Sequence, residues 1–262
     1  MMQLKNLNTA PLSFSDADVL QVLKNQLFHY FDEQKLNPFI TEDWRRGIFQ
    51  LFGVKPINIP NLDKANYVLA ANHISDFDAI ILGLLHPKIR IVAKIGWANN
   101  NELMSFLKLH YDIVGVYRNS EINILSDDDR KLAKAHNFKL FREINSYLKD
   151  TSEARHLLLF PQGTISDINN NSSERVNPGF TKIARAANVG IVNIFTEYPW
   201  VGGATRIIGG APYTVAERSL SIDYSDVWLK DVISLQSQLE DTRSPLLSQK
   251  HLQNNSSGEP YF

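Results

Sequence analysis

The chain has 262 residues, 44% of them apolar, and a formal net charge of −1 at neutral pH. That length supports one sizeable α/β core, and the near-neutral charge, with no RRM, zinc or helix-turn-helix signature, gives no reason to expect nucleic acid as a partner. The complete lack of cysteine excludes disulfides, thiolate zinc sites and a cysteine nucleophile, and it fits a reducing compartment.

The start of the chain, Met1 to Ser15, shows no basic region followed by an apolar stretch, so no secretion signal is expected. Residues 15–36 carry apolar side chains at mostly helical spacing, with Ser15 as an N-cap. Residues 38–56 repeat the pattern, with Phe39, Trp44, Ile48, Phe49 and Phe52 beside Arg45, Arg46 and Lys55. Such a pair of amphipathic helices suits the headgroup region of a membrane, or it simply covers the main domain.

From residue 57 strand-like and helical stretches alternate. Strands are expected at 66–71, 89–95, 112–117, 155–160, 190–195, 204–209 and 219–223. Helices are expected at 76–85, 101–109, 128–149, 178–188 and near 226–239. This order predicts an α/β domain with a mixed, largely parallel sheet flanked by helices. The organisation is then an N-terminal amphipathic segment over 1–56, a main domain over 57–240 and a polar tail over 241–262 that is partly disordered. The longest apolar run, Ala79 to Leu85, falls far short of the roughly 20 residues a membrane span requires. A cytoplasmic protein held peripherally at the inner face of a membrane through residues 15–56 is the expectation.

Within this frame the segment Asn72-His73-Ile74-Ser75-Asp76-Phe77-Asp78 stands at the end of a strand-like run. A helix beginning near residue 76 lets Asp78 fold back onto the His73 imidazole, fixing its tautomer and raising its basicity. Chance alone supplies roughly one His-x4-Asp pair in every two chains of this composition, so position rather than spacing gives the pair weight. A second loop, Phe160-Pro161-Gln162-Gly163-Thr164-Ile165-Ser166, ends another buried strand. Its stiff proline, its glycine and its hydroxyls suit a loop that cups an anion or oxyanion, although composition alone favours an ordinary turn; backbone N–H groups near Gly163 or the helix start at Asp76 are the expected oxyanion donors.

Two hydrolytic readings compete. A serine hydrolase would use Ser75 or Ser166, but the Gly-x-Ser-x-Gly elbow is missing; a metal hydrolase would use His73, Asp76 and Asp78 without a further ligand cluster. His86, before Pro87 at a helix end, reads as a charge complementing the helix dipole, and His110 and His136 fall on polar faces. Trp97 and Trp200 fit either an acyl pocket or ordinary packing.

Four segments in order, Asn72-His73-x4-Asp78, Val114-Gly115-Val116-Tyr117-Arg118, Phe160-Pro161-Gln162-Gly163-Thr164 and Ile191-Val192-Asn193-Ile194, resemble the PlsC-like glycerolipid acyltransferases (1-acylglycerol-3-phosphate acyltransferases). The resemblance covers roughly residues 57 to 215. It implies a glycerol-3-phosphate acyltransferase-like fold, His73 and Asp78 as the catalytic pair, and acceptor binding by Lys94, Arg118, Phe160, Pro161, Gln162, Gly163 and Thr164. It also implies transfer of a fatty acyl group from acyl-CoA or acyl-ACP to a lysophospholipid hydroxyl, with no metal or cofactor beyond the thioester. Acyl carrier protein and a membrane surface are the implied partners. Three positions depart from the family pattern: Gln162 stands where glutamate is usual, Ile165 where arginine is usual, and Asn177-Pro178-Gly179 where Lys-x-Gly is frequent. Losing the arginine removes a bidentate phosphate contact; Arg118, Lys94 and Arg175 are left to supply positive charge, each reading also as a solvated or ion-paired surface residue, Arg175 above all. A neutral or glycosylated lipid acceptor, or a catalytically silent lipid-binding protein on the same scaffold, are the alternatives.

Overall fold

The computed structural model describes residues 53–74, 77–96, 108, 111–163, 177–197, 206–215 and 224–241, together with Arg45 and Phe49. The strands are β1 (Lys55–Ile57), β2 (Tyr67–Ala71), β3 (Ile89–Lys94), β4 (Asp112–Val116), β5 (His156–Leu159), β6 (Gly190–Glu197) and β7 (Arg206–Gly209). The helices are α1 (Phe77–Gly83), α2 (Asn119–Asn123), α3 (Asp127–Lys149), α4 (Gly179–Ala187) and α5 (Tyr224–Asp241). The strands form one sheet in the order β1-β7-β6-β2-β5-β3-β4. Only the β6–β7 pairing is antiparallel, so β7 and β1 run against the other five strands.

Because both faces of the sheet are covered, its central strands are buried along their length and mostly apolar rather than alternating. All four residues of β5 are buried, as are Val68, Leu69, Ala70 and Ala71 of β2. Successive side chains nevertheless go to different layers. Leu69 and Ala71 join Leu158 and Ile80 on the α1 face, while Val68 and Ala70 join Leu157, Ile144 of α3, Ala184 of α4 and Trp228 of α5 on the other. Trp228 is wholly buried and donates its indole N–H to the Ala70 carbonyl at 3.2 Å, tying α5 to the central strand. Asn193 of β6, a buried polar residue in that layer, donates to Asp231 at 2.7 Å and accepts from the Tyr213 hydroxyl at 3.2 Å.

The helix ends follow from local chemistry. Ser126 caps α3 by accepting from the Asp129 N–H at 3.2 Å, three aspartates fill its first turn and Lys149 its last, as the helix dipole favours. Helix α4 stops at Asn188, whose φ of 57° places it in the left-handed region that closes many helices.

The mixed, largely parallel sheet flanked by helices agrees with expectation, and two elements are additional. Strand β1 overlaps the end of the stretch expected to be helical up to residue 56; it holds Pro56 and occupies an edge of the sheet, where a missing N–H is tolerated. Helix α2, five residues long, is too short to show a period in sequence. The expected helix at 15–36 lies outside the described residues, as do 219–223, the tail beyond Asp241, all of 101–109 but Lys108, and all of 38–56 but Arg45, Phe49 and residues 53–56. No helix among the described residues is long and apolar enough to cross a membrane.

At the amino ends of the parallel strands lies a buried aromatic cluster. His156 opens β5, stacks on Tyr67 at 5.8 Å and meets the edge of His86 at 4.6 Å. The His86 Nδ1 accepts from the Lys88 N–H at 3.1 Å, so its Nε2–H donates to Asp63 at 3.2 Å. His86 is therefore neutral and buried, not a charged helix terminus: burial pushes its basicity below the ordinary histidine value although Asp63 opposes this. Burial, and then neighbouring His86, push His156 down to about 3. Between about pH 3 and 6.5 the unfolded chain binds a proton at His156 that the folded chain refuses, so stability declines as pH falls through that window. Denaturant titrations should show wild type losing up to about 1.4 kcal/mol per pH unit from this residue below pH 6, and His156→Phe, which keeps the ring stack, losing less. Equal slopes in the two proteins would contradict the assignment.

Candidate active site

The site forms where the parallel strands end. His73 follows β2, Lys94 is the last residue of β3, Arg118 lies two residues past β4, and Phe160 to Gly163 follow β5. Parallel pairing in register, Ala70 with Leu159 and Lys94 with Val116, brings these carboxyl ends side by side, the place where open α/β sheets receive ligands. They border one cleft of about 840 Å³ with an apolar floor that includes Ile91, Leu159 and Phe180.

Asn72 fixes the turn that presents His73. Its backbone N–H donates to the Ile194 carbonyl at 3.2 Å, prolonging the β2–β6 ladder. Its side chain then imitates a peptide group, donating to the Thr196 carbonyl at 3.0 Å and accepting from the Thr196 N–H at 2.6 Å. Both bonds are buried, so each contributes about 0.5–1.5 kcal/mol and an alanine there would strand two backbone groups.

The His73 ring is held on three sides. Its Nδ1 lies 3.1 Å from Asp78 Oδ2, and the same oxygen accepts the Ile74 N–H at 2.7 Å. The Phe160 ring stacks on it at 4.2 Å, and the His73 backbone N–H donates to Gln162 Oε1 at 2.7 Å. Asp78 is fully buried in the first turn of α1, where the helix dipole favours negative charge. A carboxylate only accepts, so the Nδ1 carries the proton and the Nε2 is left as the basic nitrogen of a ring that lines the cleft. This arrangement can remove a proton from a bound hydroxyl or thiol.

Gly163 has a φ of 73°, which favours glycine, and its N–H closes the turn onto the Phe160 carbonyl at 2.9 Å. The Gly163 N–H itself is therefore already engaged, and the other expected donor, the helix start at Asp76, lies outside the described residues. Pro161 holds the loop to the start of α4 by accepting from the Asn177 N–H at 2.7 Å. Across the cleft, Asn137 of α3 accepts from the Tyr117 N–H at 3.0 Å and donates to its carbonyl at 2.7 Å, setting the position of Arg118.

Of the nine residues expected in the site, the structure brings eight to the same end of the sheet: His73, Asp78, Lys94, Arg118, Phe160, Pro161, Gln162 and Gly163. Thr164 lies outside the described residues, with Ile165, Ser166, Arg175, Ser75, Asp76, Trp97 and Trp200. Glu121 was not anticipated. It forms an ion pair with Lys94 at 2.9 Å and accepts the Arg118 N–H at 2.9 Å, and the three-residue step from Arg118 to Glu121, that of a helix cap, is the signal that could have found it. Asn137 left no comparable signal.

Comparison with known proteins adds an independent line. No curated protein matches the chain. PlsC, the 1-acyl-sn-glycerophosphate (LPA) acyltransferase from Thermotoga maritima, has a solved structure with 16% identity and a TM-score of 0.47, covering 86% of this chain and 93% of its own. The family described as Acyltransferase matches residues 54–197, more than half of the 262, and that stretch holds β2 to β6 and every residue of the cleft named above. The chain belongs to the acyltransferase family.

Proposed function

We propose that the protein transfers a fatty acyl group from a thioester, acyl-CoA or acyl-ACP, to the hydroxyl of a lysophospholipid such as 1-acyl-glycerol-3-phosphate. The observation that carries this reading is the His73–Asp78 pair at 3.1 Å, with the imidazole bordering a cleft large enough for a lipid headgroup and thioester. His73 Nε2 takes the acceptor hydroxyl proton while that oxygen attacks the thioester carbonyl. The imidazolium so formed is paired with buried Asp78, which strengthens the interaction over one in water. The tetrahedral species then collapses, the C–S bond breaks, and the proton passes from Nε2 to the leaving thiolate. No covalent enzyme intermediate is needed. The apolar floor suits the acyl chain, and residues 15–56 supply the contact with the membrane in which the acceptor resides.

A neutral or glycosylated lipid acceptor is the second reading, favoured by Ile165 in place of arginine and by the pairing of Lys94 with Glu121. A silent lipid-binding protein would have no chemical reason to retain the oriented imidazole. Thiol release from acyl-CoA, measured against lysophosphatidate, other lysophospholipids and uncharged or glycosylated monoacyl lipids, tests the proposal. Release with one lipid class well above the rest is expected, and vesicle binding with no thiol release from any of them would overturn it.

A further inference from the structure

Lys94 and Arg118 are the two permanent cations among the described residues lining the cleft, so among those residues they are the ones that offer a phosphate positive charge. They are not equally available. The Lys94 ammonium lies 2.9 Å from Glu121 Oε1, while Glu121 Oε2 takes the Arg118 backbone N–H at 2.9 Å. The Arg118 guanidinium makes no ion pair among the described residues. Glu121 thus bridges the two elements that carry the cations, the end of β3 and the start of α2. Burial alone would raise its carboxyl, but the Arg118 N–H and the Lys94 ammonium more than reverse this and hold it below the ordinary glutamate value, hence ionised at neutral pH.

We infer that Glu121 is the residue that sets the charge preference of the cleft, occupying Lys94 so that a phosphomonoester dianion meets one net cation instead of two. The inference rests on the acyl-transfer reading and concerns which substrate group that cleft accepts. An uncharged or singly charged headgroup needs no second cation and suffers little from the carboxylate, whereas a dianion must either displace Glu121 from Lys94 or bind beside it. The pair is partly exposed, so displacement is possible but not free. The dianion could be the headgroup phosphate of the acceptor or the 3′-phosphate of a CoA donor, since both present the same chemistry.

Glu121→Gln separates charge from shape. Glutamine keeps an amide oxygen to accept the Arg118 N–H, as either residue does at this helix position, but it leaves Lys94 unneutralised. Removing one negative charge roughly 6 Å from a dianion in a water-like dielectric of about 80 corresponds to about a tenfold change in binding. With acyl-CoA held constant, Glu121→Gln should raise kcat/KM for 1-acyl-glycerol-3-phosphate over that for monoacylglycerol by about tenfold relative to wild type. Comparing acyl-CoA with S-acyl-pantetheine, which carries no phosphate, assigns the effect to the donor if only that ratio moves. Calorimetric titration with glycerol-3-phosphate and with 3′-phosphoadenosine 5′-phosphate reads the same change without turnover. It remains informative should neither protein release thiol, an outcome that would overturn the acyl-transfer reading alone. Unchanged ratios and unchanged binding, or weaker use of phosphorylated substrates by Glu121→Gln, would overturn the inference.

Discussion

His73→Ala is expected to lower thiol release by at least 10²- to 10⁴-fold, the range for loss of a general base. The variant should remain folded, because the imidazole borders the cleft and Asp78 keeps the Ile74 N–H as a partner; the backbone N–H that bonds Gln162 is still present in alanine. What alanine removes is the ring between Asp78 and Phe160, and with it the basic nitrogen. Kinetic constants measured beside a thermal melt check both halves of this expectation. Turnover near the wild-type level in a folded variant would sink the proposal that His73 is the base.

Asp78→Asn should approach the same loss, about 10²- to 10⁴-fold, through a different cause. One carboxylate oxygen accepts from both the Ile74 N–H and the His73 Nδ1. An asparagine with its oxygen in that place keeps both bonds but carries no charge, so the ring loses basicity and the imidazolium formed on proton transfer loses its counter-ion. Asparagine is the better probe than alanine, which would leave a buried N–H unsatisfied at about 1–3 kcal/mol and confuse orientation with stability. The double variant should lose little more than His73→Ala alone, because the two residues act as a unit. Fully additive losses would show that Asp78 acts elsewhere.

How much of this was legible in the sequence depends on how local each feature is. β2, β5 and α3 announce themselves, the strands as short apolar runs that end at turn residues and the helix as 23 residues with Ser126 at its start and three acidic residues after it. The His73–Asp78 pair is legible for the same reason, since six residues of chain contain the whole interaction. Gln162 is different. Its bond to the His73 N–H spans 89 positions and exists only because β2 and β5 are neighbours, which no periodicity states. Glu121 reaches Lys94 by the same kind of adjacency, through the β3–β4 pairing and the turn into α2. His86 was misjudged because a helix end suggested solvent, whereas His156 and Asp63 enclose it.

The direction of the strands divides the molecule into unlike poles. Base, cations and binding loop all follow carboxyl ends, so the turn from α3 into β5, with Thr151 exposed to solvent, lies at the pole remote from His73. In a chain without cysteine, one thiol introduced at Thr151 would be the sole site for a fluorophore or spin label. Such a label would report on folding, and on contact with added vesicles, from the far pole, leaving the pole of His73 and the cleft chemically untouched.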